Sequence, residues 1–597
     1  MKRRWTAALA VLTAMSLMAG CASPAALEET PAAPTDAPAA TAQIQQNTPP
    51  EAAGMTPGVY TVTAMGHNGD FTVDVTLDED SITAIEFGTN YESPKQGTVA
   101  MEQVREEILA GQTLSVDSVT GATFSGNAVI AAVKEAIVQA GGDVEMFSAA
   151  PEKEKEAYQD AQTQVLVVGA GGAGLAAAMR AKDLGMDVIL IDQLGYLGGS
   201  SVRAGYLMGA DTDLQKAAGI EYTRQDYIDS LMQDADDEDP LFQEASVAPT
   251  VDTVTETINW LSGEHGVPFS VSSYAHAEEG FGGGGALMTA VLREEMENAQ
   301  MDIRLETRAE NLLVEDGRVT GAAVTAPDGS SYQIHADAVI LATGGYNGNP
   351  EMIAKYKPEF ANAVTDASFG ADGSGMLMAE AVGAPLIAMD RANYRFGVSW
   401  RVGGRSMVWA MGCGAVAVNK EGQRFANEDH NKGEAEVTAI TRQTDGVCYL
   451  IMDQACMDAI CALPSQAFHE AMCEKADTLE ELAQKLGIDG ESLGETMQKY
   501  GEYVKNGEDP DFGRKNSLTS SFETGPYYGV KAYPEVHTDF GGVKVDVDTR
   551  VLDEEGTPIT GLYAAGEVAA SHVGGDGFSI CVSKGYRAAE TVQADLN

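Results

Sequence analysis

Positive charge is what this sequence has least of. Against 89 aspartates and glutamates stand 38 lysines and arginines, a formal net charge of −51 over 597 residues. Such a surface repels phosphate backbones, so nucleic-acid binding is excluded; it solvates the protein and names no partner. Cysteine is sparse as well. Beyond Cys21, the residues Cys413, Cys448, Cys456, Cys461, Cys473 and Cys581 form no C-x-x-C pair and no C-x-x-C-H run. Neither a zinc module nor a c-type haem is built in, and no metal site is expected. The N-terminal apolar run is too short to span a bilayer. The length points to several domains with a substantial core.

What is present begins with a basic start at Lys2, Arg3 and Arg4, an apolar run, and small residues before Cys21. Residues 1–20 resemble a bacterial lipoprotein signal, in which Cys21 becomes the lipid-modified N-terminus on the outer face of the cell membrane. An ordinary secretory signal with an incidental cysteine is the alternative. Residues 21–54, rich in Pro, Ala, Thr and Gln without periodicity, read as a flexible tether.

The most informative stretch is VLVVGAGGAGLAAAMRAKDLGMDVILID, residues 165–192. A buried parallel strand is followed by Gly169, Gly171 and Gly174 in G-x-G-x-x-G register, then a helix, then a strand ending on Asp192. The first glycine permits a tight turn, the second lets backbone approach a pyrophosphate, and the third lets the helix pack on the sheet. Asp192 is placed to accept hydrogen bonds from a ribose diol. The fold expected here is α/β, a Rossmann-type dinucleotide-binding domain.

Upstream, residues 55–145 change pattern. Phe71, Val73, Val75 and Leu77 alternate as a strand, residues 82–87 read as another, and Ala128, Val129, Ala132, Val133, Ala136 and Ile137 mark a helix. Between them lies DSVTGATFS, residues 117–125. This resembles the FMN-binding domain of membrane electron-transfer subunits, small and α+β, whose D-x-x-[ST]-G-A-[ST] loop is esterified by a flavin transferase. The resemblance implies covalent FMN on Thr123. The bland reading of T-G-A-T is a capped turn. Residues 146–160 are a polar linker.

Beyond Asp192 come LGGSSVRAG (197–205), ATGGYN (342–347) after a strand, and GLYAAGE (561–567). With the glycine turn these resemble the FAD-dependent fumarate reductase, urocanate reductase and 3-ketosteroid dehydrogenase superfamily. That resemblance implies non-covalent FAD held by Gly198, Gly199, Ser200, Ser201, Gly205, Thr343, Gly344 and Glu567, with the 574–580 loop, including Ser579 and Ile580, near the isoalloxazine. It implies FAD-binding segments over 161–384 and 529–597 and an inserted α+β capping domain over 385–528, which carries VNKEGQRFANE (418–428). Residues 480–486 and 493–503 read as amphipathic helices of that cap.

Several family positions differ. Where fumarate reductases deliver a proton from arginine, this chain has Lys432; the family's substrate histidine aligns with Thr538, one place from His537, and its substrate arginine with His572. Its T-E-x-x-R-G segment is replaced by MVWAMG, residues 407–412. Losing charge-assisted contacts worth about 1.5–3 kcal/mol each disfavours fumarate itself. Trp400, Trp409, Met407 and Met411 either line a site for a larger, partly apolar acceptor or pack the cap core.

The leading expectation is an extracytoplasmic, lipid-anchored reductase of an activated C=C bond in an enoate or enone. A membrane donor reduces FMN on Thr123, FAD follows, and Lys432 protonates the acceptor, with His430, His572 or Tyr394 as alternatives. The rivals are a dehydrogenase of a 3-ketosteroid-type substrate and a flavin-bearing electron carrier without an enzymatic site.

Overall fold

The computed structural model describes residues 54–66, 70–90, 92, 97–116, 123–148, 158–234, 243–277, 283–399, 404–430, 434–462, 469–570, 573 and 577–597. The expected signal peptide, Cys21 and nearly all of the tether lie outside the described residues.

Three antiparallel strands, Gly58–Met65, Asp70–Leu77 and Ile82–Phe87, form the first sheet. Side chains alternate across a strand, so Phe71, Val73, Val75 and Leu77 share one buried face. Helices Gly97–Gly111 and Thr123–Gln139 close over it through Met101, Val104, Ile108, Val129, Val133 and Ile137. The alternation and the helical face expected from sequence are both present. The loop 117–122 lies outside the described residues; the second helix begins at Thr123.

The second sheet has eight strands. Ala161–Val168 runs at its centre, parallel to Val188–Ile191 on one side and to Ser331–Leu341 on the other. A central parallel strand is covered on both faces, which explains the unbroken apolar run at Val165, Leu166, Val167 and Val168. Asp302–Arg304 extends one edge, and Pro558–Ala564 brings the C-terminal segment back beside Ser331–Leu341. Helices Gly172–Asp183 and Phe578–Leu596 pack together so closely that a Cβ on Gly585 would lie 2.0 Å from the Ala173 carbonyl oxygen.

The inserted domain is built on Gly404–Ser406, Ala392–Ser399, Tyr527–Asp539, Cys448–Asp453 and Val416–Val418 in that order, with Glu474–Ala476 beside Tyr527–Asp539. Helices Leu479–Leu486 and Gly490–Asn506 cover it through Leu482, Leu493, Met497 and Tyr500. The strand Tyr527–Asp539 runs straight through the domain boundary placed at 528. Cap and nucleotide-binding lobe are therefore joined by two paired strands, Ala392–Ser399 and Tyr527–Asp539, and one apolar core runs from Leu341 and Tyr346 to Phe396 and Met407. No helix among the described residues is long and apolar enough to cross a membrane.

Candidate functional site

The glycine turn opens onto a cavity of about 800 Å³ of empty space continuous with solvent. Each glycine has a separate steric reason. Gly169 adopts φ +105°, and a Cβ there would lie 2.4 Å from the Ala342 carbonyl oxygen. At Gly174 a Cβ would sit 1.8 Å from the Gly169 carbonyl oxygen. Gly171 is different: a Cβ there meets nothing within 4 Å, because the residue faces the cavity. It is also the N-cap of helix Gly172–Asp183 and caps it with no side chain. The positive end of that helix is thus aimed at open space, the arrangement that receives a phosphate.

Asp192 lines the same cavity. Its carboxylate accepts the Ala170 N–H at 2.5 Å and the Leu194 N–H at 2.7 Å, yet burial pushes its pKa up to about 6. Gly199, Ser200, Ser201, Thr343, Gly344 and Glu567 also line it. Ser201 Oγ accepts the Gly172 N–H at 3.0 Å, and Ser200 Oγ accepts the Ser368 N–H at 2.7 Å. The Thr343 hydroxyl is buried without a hydrogen-bond partner in the structure, a donor and acceptor held ready for a bound group. Arg308, Ser368, Gly370 and Cys581 complete the wall and were not singled out from sequence.

Of the expected contacts, Gly198, Gly205, Ser579 and Ile580 do not line this cavity; the Gly198 N–H donates to the Ala170 carbonyl. Ser579 Oγ accepts the Met208 N–H at 2.6 Å and Ile580 lies in the apolar core, so neither lines this cavity; Gly205 uses its carbonyl to accept the Gly284 N–H. A helix spreads successive side chains around its axis, and Cys581, one and two places on, is the one that meets the cavity.

Glu567 is held by a buried network. The Asp539 N–H donates to Glu567 Oε1 at 2.6 Å. The Asp539 carboxylate pairs with Lys357 at 2.8 Å, both side chains almost fully buried, and accepts the Tyr346 N–H at 2.8 Å. Lys357 also donates to the Tyr346 hydroxyl and to the Met389 carbonyl. Burial pushes the Asp539 carboxyl up and the Lys357 amine down, while their mutual attraction opposes both shifts.

Where the two joining strands leave the lobe, they present a polar face. Along Ala392–Ser399, Tyr394 and Phe396 are buried while Asn393 and Arg395 alternate to the opposite side. Tyr394 is therefore not a proton donor to this cleft. Its ring stacks on Phe360 at 4.3 Å and its hydroxyl donates to the Asp390 carbonyl. Asn393 faces Thr538 and Tyr394 faces Val536, so His537 is the extra residue of a bulge. Its Nδ1 bonds Asp366 Oδ1 at 2.8 Å, and Arg203 donates to the Asp366 main-chain carbonyl. Burial would raise the Asp366 carboxyl, but His537, Arg203 and Arg395 hold it well below the usual range. Arg395 Nε and Asn393 Oδ1 are buried without hydrogen-bond partners in the structure.

Ring nitrogen and carboxylate oxygens of His537, Asp366 and Glu535 lie within 4.8 Å of one another. The two arginines already supply positive charge there, which disfavours a metal ion in that place. Tyr206, about two-fifths exposed, stacks obliquely on Tyr274 beside this face, ring centroids 5.8 Å apart. None of Asp366, Arg395 or Glu535 has a local sequence signature; the tertiary pairing brings them together.

Lys432, His572 and the His430 side chain lie outside the described residues, as do Trp400 and the Trp409 side chain. Met407 and Met411 are buried in the core of the cap rather than lining a cleft. The VNKEGQRFANE signature has a structural basis. Arg424 pairs with Glu428 at 2.5 Å and with Asp509 at 2.9 Å, and Glu428 Oε1 also accepts the Ala417 N–H. This fixes the start of the segment that leads to Lys432.

Comparison with known proteins agrees with this geometry. Residues 164–576 match the FAD binding domain family, and residues 66–138 match the FMN-binding domain family. A urocanate reductase of Eggerthella lenta is 33% identical over 566 residues, covering 89% of this chain and 90% of that protein. An NADH:fumarate oxidoreductase of Klebsiella pneumoniae is 27% identical over 530 residues, covering 87% of this chain; the chain spans only 56% of that longer relative. Among solved structures, the open conformation of a flavocytochrome c3 fumarate reductase superposes with a TM-score of 0.65 at 30% identity, covering 75% of this chain and 83% of the other.

Proposed function

This chain belongs to the FAD binding domain family and carries an FMN-binding domain ahead of it, and from that membership we propose that it is an extracytoplasmic reductase of an activated C=C bond. It is an FAD-dependent oxidoreductase acting on CH–CH groups, and the relatives named above include reductases of urocanate and fumarate. The acceptor is an enoate or enone, larger and less anionic than fumarate. Electrons reach it from a membrane donor through FMN carried covalently on Thr123 after modification by a flavin transferase, and then through FAD. Cys21 bears the lipid that holds the protein at the outer face of the cell membrane.

The observation that carries the reading is the dinucleotide cavity itself, walled by the glycine turn, Asp192, Thr343 and Glu567. FAD fits the cavity by three features: the open side of Gly171, the uncapped helix start and the unpartnered Thr343 hydroxyl. Gly169, Gly171 and Gly172 would hold its pyrophosphate, Asp192 a ribose, and Thr343, Gly344 and Glu567 the rest. FAD, when bound, supplies the hydride. The chain's own residues do the remaining work. Asp539 and Lys357 keep Glu567 in place. Arg395 and Arg203 offer positive charge to one carboxylate of the acceptor, which matches a single anionic end better than the two of fumarate.

The test is an anaerobic assay in which reduced viologen drives turnover of a panel of enoates and enones. Reoxidation of FAD by one of them is the expected result. If both flavins are reduced and no member of the panel is turned over, the reading fails.

A further inference from the structure

We propose that His537, oriented by Asp366, is the group that delivers the proton to the acceptor. The inference rests on the reductase reading above and adds to it the identity of the acid. Reduction of a C=C bond requires a hydride at one alkene carbon and a proton at the other. The alkene π pair forms the new C–H bond to that proton, the imidazolium N–H bond breaks, and neutral imidazole remains. The two electrons come with the hydride, so the step needs no further oxidant or reductant.

Four observations place the pair. His537 occupies the bulge of Tyr527–Asp539, where the extra residue re-aims a side chain that regular pairing would send elsewhere. Its Nδ1 is engaged by Asp366 Oδ1 at 2.8 Å, leaving Nε2 as the working nitrogen. A carboxylate on one ring nitrogen fixes the orientation of the ring. About a quarter of the His537 side chain is exposed, enough for solvent to restore the proton.

Both members are tied to the cavity wall two residues away. Ser368, two residues past Asp366, lines the cavity and bonds Ser200. Asp539, two residues past His537, donates its N–H to the cavity-lining Glu567. The pair is thus tied through Ser368 and Asp539 to two side chains of the cavity wall, and the strand that carries His537 also braces Glu567. The charged and titratable groups facing it are Asp366, Glu535, Arg203, Arg395 and Tyr206. The acid expected at Lys432 lies apart from this pairing in sequence, on the segment that follows Glu428.

The experiment uses full-length enzyme loaded with both flavins, reduced viologen and an acceptor that the wild type turns over. His537→Gln is expected to lower kcat about 100-fold or more, the usual contribution of a positioned general acid. KM should change little, and the alkaline limb of the kcat–pH profile should disappear. Asp366→Asn should lower kcat less, since the ring keeps its acid but loses the carboxylate that orients it. His537→Gly should regain activity in proportion to added imidazole, a response that a merely structural role does not give. Flavin content and melting temperature identify any variant that fails to fold, and the kcat of Asp366→Asn, unchanged if the pair plays no part, then decides. A His537→Gln enzyme with kcat within threefold of wild type, or with the wild-type alkaline limb intact, overturns the inference alone and returns the role to Lys432. A wild type that turns over no acceptor overturns the reductase reading and this inference together.

Discussion

A methyl group added to Gly171 meets no protein atom within 4 Å, while at Gly174 it lies 1.8 Å from the Gly169 carbonyl oxygen. The two glycines of one motif therefore predict opposite failures. Gly171→Ala should leave the melting temperature of the apoprotein within about a degree and weaken FAD binding, since overpacking typically costs 1–3 kcal/mol, roughly tenfold or more in affinity. Gly174→Ala should destabilise the apoprotein itself. Thermal melts with and without FAD separate the two. Asp192 gives a pH dependence. Burial raises its carboxyl to about 6, above the ordinary value near 3.9. In the apoprotein its contribution to stability is therefore full below about pH 4 and is lost as pH rises through about 6. FAD works in the opposite sense, because ribose hydroxyls donate to the ionised form. Affinity for FAD should fall roughly tenfold between pH 7 and pH 5, as protonation removes the acceptor. Asp192→Asn should flatten that dependence in a fluorescence titration. These residues were legible in the sequence because a strand–turn–helix imposes its requirements within some twenty-five positions. Arg395, Asp366 and Glu535 were not, because no local constraint marks them and only the pairing of two distant strands assembles them.

At the scale of elements, periodicity did most of the predictive work. Alternation in Asp70–Leu77 and the apolar faces of Thr123–Gln139 and Gly490–Asn506 all appear where expected. The strand Tyr527–Asp539 escaped prediction because it is 13 residues long, carries a bulge and pairs on both sides. Its bulged end brings both His537 and the Asp539–Lys357 pair to the junction. The segment after Val416–Val418 depends instead on charge. Glu428, fully buried, is shared by Arg424 and, at 3.7 Å, by Arg514. Removing its charge leaves two guanidinium groups short of a partner. Glu428→Gln should destabilise the cap by about 3–5 kcal/mol, the range for breaking a buried pair from one side. A double variant, Glu428→Gln with Arg424→Met, should recover part of that loss, because fewer unpaired buried charges remain. Denaturant unfolding of the four members of this cycle measures the coupling. Equal stability of the single variant and the wild type would mean that the signature is not held by this pair.

The molecule as a whole consists of a small α+β unit and a large two-lobed one, matched to two flavin families. On the proposed electron route the second flavin, carried on its own domain, receives electrons from a membrane donor and passes them to FAD. Burial raises the thiols of Cys413, Cys448, Cys456, Cys461 and Cys473, that of Cys473 up to about 12, which favours their protonated form. This division of labour predicts the effect of Thr123→Ala. The variant should lose the mass of one FMN in denatured intact-mass measurement and keep its FAD, because Thr123 does not line the glycine-turn cavity. Its turnover with reduced viologen should fall only modestly, since a small dye reaches FAD directly. With membranes as the reductant, turnover should drop by at least tenfold, because the entry flavin is gone. Retention of the FMN mass would remove Thr123 as the attachment residue. Loss of FMN with undiminished membrane-driven turnover would show instead that electrons enter at FAD, making the N-terminal domain dispensable to the path and leaving the glycine-turn cavity as the sole redox station.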